Sequence, residues 1–126
     1  MAKTTGGSRS VPKAGNAYVP ETGDVIWLTF TPQAGREQAG RRPGLVLSPS
    51  AYNRKTSLCL VCPITSKIKG FPFEVMLPLE CTLQGVILTD HVRSADWQAR
   101  KAVYVETVPD QILDEVRAKL QALIGG

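Results

Sequence analysis

The chain has 126 residues, 43% of them hydrophobic and 21% charged, the size and balance of one folded globular domain. Its net charge is +4, but Lys3, Arg9 and Lys13 stand in the acid-free opening MAKTTGGSRSVPKAGNA. The remainder is close to neutral, so any basic surface must come from clustering. No apolar run approaches the ~18 residues that cross a bilayer, and no secretory h-region opens the chain; a cytoplasmic protein is expected.

In chain order, residues 1–17 are aperiodic and rich in Gly, Ser, Thr and Lys, which predicts a flexible tail ahead of one folded unit over 18–126. GDVIWLTF, Gly23 to Phe30, alternates its side chains and is rich in β-formers, the pattern of a first strand. REQAGRRPGLVLSP, residues 36–49, sets three arginines and two glycines before Leu45-Val46-Leu47. It predicts a basic loop followed by a strand from Pro43 to Pro49. SAYNRKTS has room for one helical turn. LCLVCPI, Leu58 to Ile64, is apolar on both faces and reads as a central strand. TSKIKGFP is a turn with two lysines. Strands are expected at Phe73–Leu77 and Gly85–Val92, a short helix capped by Ser94 through Arg100, and a sixth strand at Lys101–Glu106.

The end of the chain carries the strongest periodicity. Thr107, Pro109 and Asp110 resemble a capping box. Ile112, Leu113, Val116, Leu120, Leu123 and Ile124 form one apolar stripe at helical spacing, and Gly125-Gly126 stop it. Short strands closed by such a helix predict an α+β domain built on a small β-barrel. P-loop, G-x-G-x-x-G, H-E-x-x-H and G-x-S-x-G patterns are absent from the sequence, as are internal repeats.

Cys59, Cys62, Cys81 and His91 offer a Cys3His zinc set on paper. Cys59 and Cys62 are separated by an odd number of positions, so on one strand they face opposite sides. Buried structural thiols are the expectation, with no metal. Trp27 and Trp97 have rings that can stack bases, but their strand and helix patterns place them in the core.

The strings YVPETGDVIWLTFTPQAGREQAGRRPGLVLSPSAYN, CPITSKIKGFPFEV and TDHVRSADWQAR resemble the MazF/PemK (Kid) family of toxin ribonucleases. The resemblance covers residues 18–125 in order, and E-Q-x-G-x-R-P joined to P-x-T-[ST] is its specific part. It implies an SH3-like barrel acting as a homodimer, and metal-independent, sequence-specific cleavage of single-stranded RNA by attack of a ribose 2′-OH on its own 3′-phosphodiester. It also implies a cognate antitoxin whose acidic, disordered tail blocks a basic groove.

Such transesterification needs loss of the 2′-OH proton, charge stabilisation at the phosphorane and a proton for the leaving 5′-oxygen. Arg42 stands before Pro43, and its planar guanidinium matches phosphate geometry, so charge stabilisation falls to it. Thr65 corresponds to the family's active-site threonine, with a hydroxyl able to donate to a phosphate oxygen. Glu37 is the candidate base. Asp90 matches a carboxylate to which acid–base work is ascribed in the PemK/Kid branch, but the arginine two residues before it is Leu88 here. His91, the only histidine, can fill one proton-transfer role. Arg36, Gln38, Arg41, Ser66, Lys67 and Lys69 are the candidate RNA contacts. Two other readings use the same fold: a gyrase-poisoning toxin of the CcdB type, expected to end in a Trp-Gly-Ile-like sequence where this chain has Leu-Ile-Gly-Gly, and a plain RNA-binding module that leaves Thr65 idle.

Overall fold

A computed structural model describes residues 18–30 and 40–125; the expected tail at 1–17 lies outside them. Seven strands and two helices are present among the described residues. The alternating apolar run at Asp24–Phe30 forms β1. It pairs antiparallel with β2, Gly40–Val46, from Val25 opposite Leu45 to Phe30 opposite Gly40. β3, Leu58–Thr65, pairs with β2 and is the hub of the molecule, as its two apolar faces predict. On its other edge it receives β6, Arg93–Asp96, along its first half and β5, Val86–Leu88, at its end. β4, Glu74–Met76, pairs with β5, and β7, Val103–Thr107, pairs with β1. The result is a strongly bent, mostly antiparallel sheet ordered β4-β5-β3-β2-β1-β7, with β6 on β3, the small barrel-like architecture the sequence predicts.

Three boundaries differ from expectation, each for a local reason. β2 begins at Gly40 rather than Pro43, so Arg41 and Arg42 are strand residues. Gly40 takes φ +107, open to glycine and costly for other residues, at the strand's entry. The expected strand at Gly85–Val92 stops at Leu88 and tightens into a 3-10 turn, Thr89–His91. Between Ile64 opposite Ile87 and Val61 opposite Arg93, the chain facing β3 must absorb extra residues, and this turn takes them up. The expected helix at Ser94–Arg100 is a strand and turn. Ala95 pairs with Cys59 in the core, and the Asp96 carboxylate then accepts the Ala99 N–H at 3.0 Å and the Ser57 hydroxyl at 2.9 Å, closing a turn.

Two hydrophobic clusters lie on opposite faces of β1–β3. One gathers Val25, Leu45, Cys62, Ile64, Val75 and Ile87 beneath Leu113 and Val116; the latter two are the buried part of the apolar stripe on α2, Asp110–Ile124. The other gathers Tyr18, Ile26, Leu28, Val46, Cys59, Val61, Ala95 and Trp97. The capping box does not form. Pro109 occupies the N-cap of α2 without a side-chain bond, and the Thr107 hydroxyl instead donates to buried Asp24 at 3.1 Å. Asp24 also accepts the Tyr18 hydroxyl at 2.7 Å and the Glu21 N–H at 3.0 Å.

The short helix α1, Ser50–Thr56, has no acid in its first turn. Glu21 supplies one from outside, its carboxylate accepting the Ser50 N–H at 2.6 Å, where the helix dipole favours negative charge. Asn53, fully buried in α1, donates to the carbonyls of Pro20 and Ser48 at 2.8 and 3.0 Å and accepts the Ser48 hydroxyl at 2.7 Å. Trp97 donates to the Asn53 carbonyl at 2.9 Å.

Candidate functional site

The pairing of β2 with β3 runs from Val46 opposite Val61 to Gly44 opposite Pro63 and then ends. Beyond that pair β2 stays on β1 through Gly40, whereas β3 stays on β5 through Thr65 opposite Val86. The two strands therefore part, and the sequence supplies the cause. Leu47 donates to the Leu60 carbonyl and ladder bonds fall on alternate residues, so position 43 is the next after Leu45 that should donate to β3; Pro43 has no N–H to give. At Gly44 itself the strands are still tightly packed, since a Cβ there would lie 2.5 Å from Val61 Cγ2.

Arg42 is two residues from Gly44 on one tine of this fork, and Thr65 is two residues from Pro63 on the other. Even spacing keeps both on the face of Gly44 and Pro63. Continued by the same count, the register would set Arg42 across from Thr65. Arg42 is exposed and Thr65 half-buried. The Thr65 oxygen accepts the Lys67 N–H at 3.1 Å. With one lone pair so engaged, its own proton is turned away from the turn and is available to donate.

The other candidates are distributed around this fork. Arg41 alternates to the opposite face of β2 and donates to the Thr29 hydroxyl at 2.8 Å, apart from Arg42. Ser66, Lys67 and Lys69 are exposed on the connection from β3 to β4. Asp90 and His91 occupy the 3-10 turn, 3.8 Å from one another and well exposed. That turn is anchored next to Cys62, whose thiol approaches the Thr89 carbonyl at 3.9 Å. Cys62 precedes Thr65 by three strand positions, roughly 10 Å of backbone. Arg36, Glu37 and Gln38 lie outside the described residues.

The cysteines assemble no centre. Cys59 belongs to one hydrophobic cluster and Cys62 to the other. Among the described residues, no three His, Cys, Asp or Glu side chains come together. Burial pushes the thiols of Cys59 and Cys62 up to about 12, Asp90 adding to the effect at Cys62, so both are neutral, inert core groups. Trp97 is 6% exposed and committed to α1, and Trp27 is half-buried.

One solvent-facing aromatic ring lies on the connection from β3 to β4 and is not among the candidates read from the sequence. Phe71 is 61% exposed, on the same connection as Lys67 and Lys69, with the Lys69 ammonium 6.0 Å from its ring centroid. Its signal was the interleaving of K-I-K-G-F, an aromatic set among lysines outside any strand pattern.

A family model described as "PemK-like, MazF-like toxin of type II toxin-antitoxin system" matches residues 21–124. The endoribonuclease toxin MazF of Escherichia coli (strain K12) is 49% identical over 108 residues, covering 86% of this chain and 96% of that protein. The endoribonuclease PemK of Escherichia coli is 35% identical, over 82% of this chain and 81% of its own. Among solved structures, a chain of the MazE–MazF crystal structure (Form-II) from Deinococcus radiodurans superposes with a TM-score of 0.83 at 56% identity, covering 86% of this chain and 97% of that one. The small, bent, mostly antiparallel barrel is thus a fold this chain shares with solved toxin structures. The chain belongs to the PemK-like, MazF-like toxin family of type II toxin–antitoxin systems.

Proposed function

We propose that this chain is an endoribonuclease toxin that cleaves single-stranded RNA at a short sequence motif, without a metal ion, through attack of a 2′-OH on the adjacent phosphodiester. The observation that carries the reading is the fork between β2 and β3, with Arg42 and Thr65 two residues out on either tine of one face. A phosphodiester seated across the fork presents one non-bridging oxygen to the Arg42 guanidinium and another to the Thr65 hydroxyl. Both interactions strengthen as negative charge accumulates on the phosphorane, so they favour the transition state over the bound substrate. The bond from 2′-oxygen to phosphorus forms as the bond to the 5′-oxygen breaks, giving a 2′,3′-cyclic phosphate, opening to a 3′-phosphate, and a 5′-OH. Glu37 is the base in this scheme. Asp90 and His91 are the further candidates for proton transfer. Arg36, Gln38, Ser66, Lys67 and Lys69 line the RNA path, with Arg41 on its flank, and Phe71 offers a base-stacking face.

Relatives solved as MazE–MazF complexes support a cognate antitoxin as partner. An acidic, disordered antitoxin segment suits the same basic face and competes with RNA for it. The toxin acts as a homodimer in the cytoplasm; among the described residues no helix is long and apolar enough to cross a membrane.

The test is cleavage of a long RNA by purified protein in EDTA, with the cut sites mapped. Cleavage at one recurring motif is expected, abolished by Thr65→Ala or Arg42→Ala and by a 2′-deoxy substitution at the cut position. Intact RNA under these conditions, or cleavage that survives the 2′-deoxy substitution, refutes the reading.

A further inference from the structure

β3 and β4 both pair antiparallel with β5, so they run parallel to each other and residues 66–73 must cross over β5 to join them. Val75 and Ile87 point into the core beneath α2. By alternation Glu74, Met76, Val86 and Leu88 point to the opposite face, the face of Thr65. Glu74 reaches the crossover from below. Its carboxylate accepts the Gly70 N–H at 2.9 Å and the Lys69 N–H at 3.2 Å. Gly70 takes φ +80, which turns those two successive amides toward one point. Such a pair of amides is an anion-binding concavity, and here the protein's own carboxylate fills it. The crossover is thereby tied at Lys69 and Gly70 to Glu74, on the strand paired with β5.

The other end of the crossover is fixed by a residue with no side chain. Gly85, at φ +128, packs so closely on the Thr65–Ser66 backbone that a Cβ would fall 2.2 Å from the Thr65 carbonyl oxygen. No rotamer change relieves that contact, because the opposing atom is backbone.

We infer that Glu74 and Gly85 are positioning residues for RNA cleavage: Glu74 sets the lysine-bearing crossover over β5, and Gly85 leaves the space in which Thr65 is held at the fork. The inference rests on the proposed RNA-cleaving role of the fork and adds to it two residues that touch no substrate. It divides their kinetic effects. Glu74 governs where Lys67 and Lys69 stand, hence RNA binding; Gly85 governs where the Thr65 hydroxyl stands, hence the chemical step.

The experiment measures kcat and KM on a short RNA carrying the cleavage motif for wild type, Glu74→Ala, Glu74→Gln, Glu74→Asp and Gly85→Ala. Circular dichroism checks each fold, and amide hydrogen exchange at Lys69 and Gly70 is followed without RNA. Glu74→Ala is expected to raise KM about tenfold with kcat within about threefold of wild type, and to lose protection at both amides. Glu74→Asp is expected to recover part of each. Charge alone predicts the reverse, because removing a carboxylate beside two lysines should tighten RNA binding. Gly85→Ala is expected to lower kcat about a hundredfold with KM nearly unchanged. Should Gly85→Ala not fold, the Glu74 series decides. Unchanged or lower KM in Glu74→Ala, or amides that stay protected there, overturns the inference. Absence of cleavage by wild type refutes the parent reading instead, a different result from active wild type with an unaffected Glu74→Ala.

Discussion

At the residue scale, the face proposed for catalysis depends on the shape of one cation more than on its charge. Arg42 presents a planar fork of donors that can grip two phosphoryl oxygens at once, whereas a lysine in the same place offers a point charge. Arg42→Lys is therefore expected to lower kcat at least about tenfold while KM stays within about threefold, measured with the motif RNA; a variant of wild-type kcat would mean that charge alone suffices. Buried Asn53 illustrates the stability side. Its side chain serves the Pro20 and Ser48 carbonyls and the Ser48 hydroxyl, all away from solvent. Asn53→Ala takes the amide donor from both carbonyls and the acceptor from the Ser48 hydroxyl, which keeps only the Leu60 N–H, and a loss of about 2–4 kcal/mol in urea unfolding is expected. Arg42 and Thr65 were legible as residues, because P-x-T and R-P are specific strings. That they share a face was not, since it depends on which residues of β2 and β3 pair, and short-range pattern does not set register between strands.

At the scale of elements, the strands were legible wherever apolar residues alternate, as in β1, or run continuously, as in β3. The failures have physical causes outside local pattern. The segment at Ser94–Arg100 has helix-compatible residues, yet pairing of Ala95 with Cys59 and burial of Trp97 outweigh that weak preference. Asp90 and His91 fall in a turn because β3 must accept two partners on one edge. Thr107 has the spacing of a helix cap, but a buried carboxylate 83 positions away in sequence claims its hydroxyl. The turn joining β6 to β7 leaves Lys101 at φ 54, in left-handed backbone that disfavours a side chain. Lys101→Gly removes that strain and adds some freedom to the unfolded chain. A net gain of about 0.5 kcal/mol is expected from thermal or urea unfolding; a loss would show that the lysine side chain contributes more than its backbone costs.

At the scale of the whole molecule, two cores back to back on one bent sheet make stability sensitive to the protonation of thiols. Cys59 and Cys62 sit one in each core, and burial raises both to about 12 from an ordinary value of 9.0. The unfolded chain loses these protons first as pH rises. Their contribution is complete below about pH 9 and declines between pH 9 and pH 12. Urea midpoints are expected to fall across that interval, and to fall less steeply in Cys59→Val. A slope identical in the variant would assign the alkaline loss to other groups. The same burial predicts that iodoacetamide at pH 8 leaves both thiols unlabelled until denaturant is added.

The parting of β2 from β3 has a consequence for how such a protein fails. The two halves of the proposed reaction centre are carried by separate leaves of the sheet, one hinged to β1 and β7, the other to β5 and β4. Aligning them is a property of how the leaves are splayed, and no single strand guarantees it. The outer leaf is made of two three-residue strands, the shortest in the fold, and it is held through Val75 and Ile87 in the core beneath α2. A molecule that wedges or grips that leaf is therefore expected to disturb the packing beneath α2 as it spreads the arginine and the hydroxyl apart, so that activity and that core are lost together.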